Sequence, residues 1–278
     1  MKNESRKVNG LITLILAIGG IIMIAPLLWM ISTSFKNKAG VFSLPPQWIP
    51  DPFTFEAFER LSELSTLWSG IKNSIIVSLS VTVVGSITSS IAAFSFAKLR
   101  LPYKNLIFLL LLSGLMIPYP SIMIPQFVMF SKIGWVNTLL PLIVPGMFGN
   151  ITMIFFLKQY LNNIPDSIIE AAKIDGATYM QTFTKLIFPA IKPAIAAQFI
   201  LWFMGAWNDY LAPLLYLNSP EKQTLQVVIA NLNAAYAIQT DYPLIMAASV
   251  ISLIPVLTVF IIFQRQIIES VALSGVKG

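Results

Sequence analysis

Six apolar runs decide what this chain can fold into. They cover residues 10–33, 74–97, 105–130, 139–156, 194–217 and 244–263. At 1.5 Å per helical residue, about 20 residues cross a hydrocarbon core roughly 30 Å thick. A backbone in lipid has no water to bond, so each run must satisfy its own N–H and C=O groups by coiling into a helix. Charged residues make up 11% of the chain, where a soluble domain carries about 25%. The expected fold class is all-α and integral to the membrane: six transmembrane helices in a single domain, residues 1–278. The first run follows Lys2, Arg6 and Lys7. It is long for a signal-peptide core and lacks a convincing small-residue cleavage site, so it reads as a retained span.

The runs differ in texture. In the second, Gly85, Ser89, Ala93 and Ala97 recur every fourth residue, a row that lets another helix approach closely. It serves either as a packing face or as a sliding surface. The third contains Pro118, Pro120 and Pro125, and the fourth Pro141, Pro145, Gly146 and Gly149. Proline removes a backbone donor, so both runs should be bent or broken. Broken helices survive at membrane depth where they face protein or water, which makes Tyr119, Gln126 and Asn150 candidates to line a path. Ahead of the second run, Phe55, Phe58 and Leu61 stand at helical spacing and predict a short surface helix. Residues 224–235 predict another.

The formal charge is +6, but no basic patch interleaved with aromatic residues accompanies it, so nucleic acid is not an expected partner. With the N-terminus in the cytoplasm, twelve of the eighteen Lys and Arg fall on that side and six on the other. The positive-inside rule then places both termini and the segment 164–193 in the cytoplasm.

That segment is the most polar helical stretch in the chain, and it lies between two spans. Ser167 and Glu170 have capping-box spacing and predict a helix start. Gly176 should end that helix in a left-handed conformation. Thr178 should cap a second helix and Pro189 should stop it. The expected product is a helix–turn–helix elbow, with small Ala171 and Ala172 between the acids Glu170 and Asp175.

The chain has no Cys and no His, which removes disulfides, thiolate and imidazole metal sites, and His-based catalysis. It has no phosphate-loop motif, hence no nucleotide site of its own. The middles of the six runs lack Asp, Glu, Lys and Arg, which disfavours an ion-coupled carrier, since such carriers keep ionisable residues in their spans. Uphill transport would then draw energy from a partner.

Glu170-Ala171-Ala172, three residues, Gly176, nine residues and Leu186-Ile187-Phe188-Pro189 together resemble the EAA loop of ABC-importer permeases. Asp175, Ala177, Phe183 and Pro193 resemble its sugar-importer, maltose-permease-like branch. Trp207-Asn208-Asp209-Tyr210, followed by Ala212-Pro213-Leu214, is similar to another segment of that branch, as is the closing Ser274-Gly275-Val276-Lys277-Gly278. The resemblance implies a permease subunit importing a di- or oligosaccharide across the cytoplasmic membrane of a bacterium. It would sit in lipid beside a second related permease, two ABC ATPase subunits and an extracytoplasmic sugar-binding protein. It implies no enzymatic activity and no cofactor on this chain; ATP and Mg would be held by the ATPases. Glu170, Ala171, Ala172, Asp175 and Gly176 would contact the ATPase, and Pro189 would set the angle of entry into the fifth span. Trp207, Asn208, Asp209 and Tyr210 suit a sugar path, because aromatic faces and hydrogen-bonding groups match sugar C–H faces and hydroxyls. The same residues also suit an interfacial belt, with Asp209 capping a helix end. Other readings are a permease for another solute such as glycerol phosphate, an ion-coupled secondary carrier, and a membrane scaffold.

Overall fold

Several helix breaks in this protein fall at proline or glycine, as at Pro118, Gly149 and Gly176, but Pro189 makes none. The structure, a computed structural model, describes residues 2–235 and 240–275, with side chains over 10–233 and 240–266. The side chains of Lys2, Arg6, Lys7 and the closing segment, and residues 276–278 entirely, lie outside the described residues.

In chain order the helices are α1 (Lys2–Ser34), α2 (Glu56–Ser62), α3 (Ser65–Lys98), α4 (Lys104–Ser113), α5 (Tyr119–Lys132), α6 (Leu140–Met147) and α7 (Ile151–Asn162). They continue with α8 (Asp166–Ile174), α9 (Tyr179–Thr182), α10 (Phe188–Trp207), α11 (Leu211–Tyr216), α12 (Leu225–Ala235) and α13 (Tyr242–Gly275). No strand occurs among the described residues. Five helical stretches are long and apolar enough to cross a membrane, and a bent pair makes a sixth if it counts as one span.

The bent pair is the third apolar run. Its halves, 104–116 and 119–132, meet at 99°. Ile117 precedes Pro118 and is extended, and Pro118 is extended in turn. Proline pushes its predecessor out of the helical region, and a new helix starts readily when its own proline falls in the first turn, as Pro120 does.

Residues 1–68 and 229–254 form one compact unit, and residues 69–228 and 255–278 another. In the first, Phe35 stacks on Phe53 at 4.8 Å and meets Phe55 and Phe58 edge-on or tilted. Its charged centre is Asp241, fully buried, with Lys38 at 3.0 Å and Arg60 at 2.7 Å. Burial opposes the carboxylate, and the two cations outweigh it, holding Asp241 below the ordinary carboxylate range.

The second unit is built on α7. Met153, Ile154, Leu157 and Leu161 are buried on one face, against Ala93 and Phe94 of α3 and Ile191 and Ala194 of α10. The small-residue row of α3 meets the broken fourth run. A Cβ on Gly85 would stand 2.6 Å from the Gly146 carbonyl oxygen, so only glycine fits there. Three bonds satisfy the break between α6 and α7. The Thr88 hydroxyl donates to the Met147 carbonyl at 2.9 Å, the Asn150 N–H donates to Ser89 Oγ at 2.8 Å, and Asn150 Oδ1 accepts from the Met153 N–H at 3.0 Å. These meet the requirement that interrupted backbone at membrane depth be bonded within the protein.

The fifth span differs from its expected limits of 194–217. Helical structure runs from Tyr179 to Trp207 as one 29-residue stretch, so Pro189 does not stop the second elbow helix. A π-helical turn at Phe183–Ile187 lies immediately before it. Proline lacks an N–H and its ring crowds the carbonyl four residues back; the wider turn supplies the room. The stretch ends at Asn208 and restarts at α11.

Candidate functional site

The elbow takes its shape from backbone chemistry. α8 begins at Asp166 behind an extended Pro165 that makes no side-chain cap. Ser167 therefore falls inside the first turn, and the expected capping box with Glu170 does not form. The capping box belongs to α9: Thr178 Oγ1 accepts from the Gln181 N–H, and Gln181 Oε1 accepts from the Thr178 N–H. Between the two helices Gly176 has φ +79°. Its N–H donates to the Lys173 carbonyl at 3.0 Å, and the Ala177 N–H donates to the Ala172 carbonyl at 2.9 Å. This bond pair is the Schellman closure, which needs a left-handed residue at that point.

Three apolar residues fasten the elbow to the second unit's core: Ile169, Phe183 and Ile187, each under a tenth exposed. A charged contact adds to them. Lys98, at the end of α3, donates to the Ile164 carbonyl and to Asp166 Oδ1, both at 2.6 Å. Its hydrogen bond and charge hold the Asp166 carboxyl below the ordinary range. The Lys173 ammonium lies 5.2 Å from the Tyr179 ring and joins the two elbow helices. The structure separates the paired alanines: Ala172 is buried against the protein, and Ala171 is exposed with Glu170 and Asp175. Ile174, 86% exposed, lies on this outer surface too. This outer surface thus combines an open apolar side chain with two acids and a small residue. Pro189 is placed at the junction of elbow and span, as described above.

A cavity of about 460 Å³ lies in the second unit. It is lined by Val77 and Val81, Tyr119, Leu142, Gly146, Gly149 and Asn150, then Trp202, Gly205, Ala206, Asp209 and Pro213. Three of the seven expected path residues, Tyr119, Asn150 and Asp209, line it. Asn150 also caps α7. Asp209 Oδ1 accepts from the Ala212 N–H at 3.4 Å at the start of α11. The other four are elsewhere. Gln126 Oε1 accepts from the Tyr216 hydroxyl at 3.5 Å. Trp207 is 1% exposed and stacks on Phe203 at 5.9 Å. Asn208 Oδ1 accepts from Gln226 Nε2 at 3.3 Å, and Tyr210 is exposed. The sequence reading missed Trp202, Gly205 and Ala206. Counting back three, four and seven residues from Asp209 finds all of them, since those intervals share a helical face.

Comparison with known proteins decides the family. The model for "Binding-protein-dependent transport system inner membrane component" matches residues 85–272. The chain belongs to this family. As such a permease component, it is embedded in the membrane by several apolar helices. It is 32% identical to the arabinooligosaccharides transport system permease protein AraQ of Halalkalibacterium halodurans, over 98% of this permease and 99% of that one. It is also 32% identical to the multiple sugar-binding transport system permease protein MsmG of Streptococcus mutans, over 95% of each. Its fold matches a crystal structure of a bacterial ABC transporter that imports the acidic polysaccharide alginate. The TM-score is 0.81 at 23% identity, covering 94% of this permease and 97% of that chain. A component of a binding-protein-dependent system is not a stand-alone ion-coupled carrier.

Proposed function

We propose that this permease is the membrane-spanning subunit of an ATP-driven importer for a di- or oligosaccharide. It acts in the cytoplasmic membrane of a bacterium with both termini in the cytoplasm. Its partners are a second related permease, two ABC ATPase subunits and an extracytoplasmic sugar-binding protein. The observation that carries the reading is the elbow. Its helix is closed by a Schellman turn, bolted to the core by Ile169, Phe183 and Ile187, and leaves Glu170, Ala171, Ile174 and Asp175 open to a partner. The relatives' own sugar cargoes support the substrate class.

The chain does no covalent chemistry on its cargo. Glu170, Ala171, Asp175 and Gly176 form the docking face for the ATPase, with Ala172 seating that face on the protein. Closing of the ATPase pair moves the elbow as a rigid body, and Pro189 sits where that motion enters the fifth span. Tyr119, Asn150 and Asp209 line part of the sugar path. The whole chain, 1–278, acts as one permease domain.

A pull-down in detergent tests this, comparing the intact chain with a variant lacking residues 170–176. The intact chain should bring down a P-loop ATPase and a second permease, and the variant should lose the ATPase alone. Recovery of the intact chain without either partner would overturn the reading.

A further inference from the structure

Among the described residues that line the cavity, Asp209 is the one carboxyl, and no Lys or Arg accompanies it. The lining is otherwise two aromatic rings, one amide, aliphatic side chains, proline and three glycines. We infer that Asp209 makes this path selective for uncharged sugars and against uronates and other anionic saccharides. This inference rests on the sugar-importer reading.

Its first support is the lining itself. A carboxylate and an anionic group in a confined, weakly screened space repel far more strongly than in water. An anionic sugar needs a compensating cation there, and no Lys or Arg is among the lining residues. The remaining lining suits an uncharged sugar. The Trp202 and Tyr119 rings offer faces for C–H groups. Gly146, Gly149 and Gly205 present bare backbone, and at Gly205 no atom lies within 4 Å of where a Cβ would stand. Asn150 uses Oδ1 on the Met153 N–H and retains its amide N–H groups as donors.

The second support is the carboxylate's position. Asp209 accepts from the Ala212 N–H through Oδ1, which orients the group, and no lysine or arginine ion-pairs with it among the described residues. The helix-capping role and the charge are separable. Asn keeps an Oδ1 acceptor for the cap and removes the charge, so Asp209→Asn isolates the electrostatic part.

The test uses the assembled importer, without its extracytoplasmic binding protein, so that only the membrane path selects. Equilibrium binding is measured for maltotriose, cellotriose and galactotriose, each beside its counterpart with carbon 6 oxidised to a carboxylate. The neutral member of at least one pair should bind roughly tenfold or more tightly than its acid, the ratio that about 1.4 kcal/mol of repulsion produces. Asp209→Asn should shrink that ratio several-fold, and Asp209→Glu should restore it. Equal binding of neutral and acidic partners by the native importer would overturn the charge filter and leave the sugar reading intact. A ratio unchanged in Asp209→Asn would overturn the assignment to Asp209. Binding of no trisaccharide at all, also after the extracytoplasmic binding protein is restored, would sink the sugar reading on which the inference stands.

Discussion

The corner around Asp241 and the corner around Asp166 use the same chemistry with burial reversed. At the first, the acid is fully buried and its cations are partly open: Lys38 is 56% exposed and Arg60 33%. At the second, the cation is buried, Lys98 being 5% exposed, and the acid is 77% exposed. A buried charge that loses its partners keeps its full desolvation penalty, whereas an exposed one is rehydrated. The Asp241 corner is thus locked by charge. The elbow corner is held by apolar side chains and backbone closure, with the exposed acid shared between water and the Lys98 ammonium. The difference fits an anchor in one unit and, in the other, the docking role proposed for the elbow.

Stripping the cations from Asp241 should have the largest effect. Replacing both Lys38 and Arg60 by Met leaves a buried, unpaired carboxylate and should cost about 3–5 kcal/mol, read as a lowered thermal midpoint in detergent. A double variant that melts with the native protein would show that the cations do not hold this corner. Acid gives the same corner a graded test. The folded carboxyl of Asp241 is depressed, so its contribution is complete above the unfolded value of about 4 and disappears as pH falls through the lower folded value. The native midpoint should drop on that limb, and the double variant should show a shallower drop.

At the elbow, Gly176→Val forces a β-branched residue into a left-handed position at a cost of roughly 1–2 kcal/mol. Nothing lies within 4 Å of an added Cβ, so the penalty is backbone alone. The variant should still insert in membranes but retain less ATPase in a pull-down, and Gly176→Asn should recover most of it. Equal retention by all three proteins would break the link between turn geometry and docking. The smallest effect is expected from Asp166→Asn, because the amide oxygen can still accept from the buried Lys98 and the Ile164 carbonyl stays in place, so the thermal midpoint should fall only slightly. A clear loss there would erase the contrast between the corners.

Much of this was legible in the sequence. Run length and low charge gave the helical spans, the prolines at 118 and 120 marked the 99° bend, and Gly176 marked the left-handed turn. Two local readings failed for reasons of competition. Ser167/Glu170 and Thr178/Gln181 share one capping pattern, and Pro165 decided between them by starting α8 a residue early, at Asp166. Pro189 has the look of a stop, but a π-turn upstream absorbs its ring. The Trp207-Asn208-Asp209-Tyr210 segment was readable as polar and aromatic. Consecutive residues point in different directions at a helix end, so Asp209 alone of the four reaches the cavity.

The unbroken stretch from Tyr179 to Trp207 sets a gearing ratio. Its 29 residues extend about 43 Å at 1.5 Å per residue. In the proposed importer, a swing of about 5° pivoting at the elbow end of such a rod would carry the far end by about 4 Å. Asp209 stands two residues past that far end. A helix stopped at Pro189 would place a joint near the pivot; the π-turn instead keeps the helix continuous there, as the proposed coupling needs.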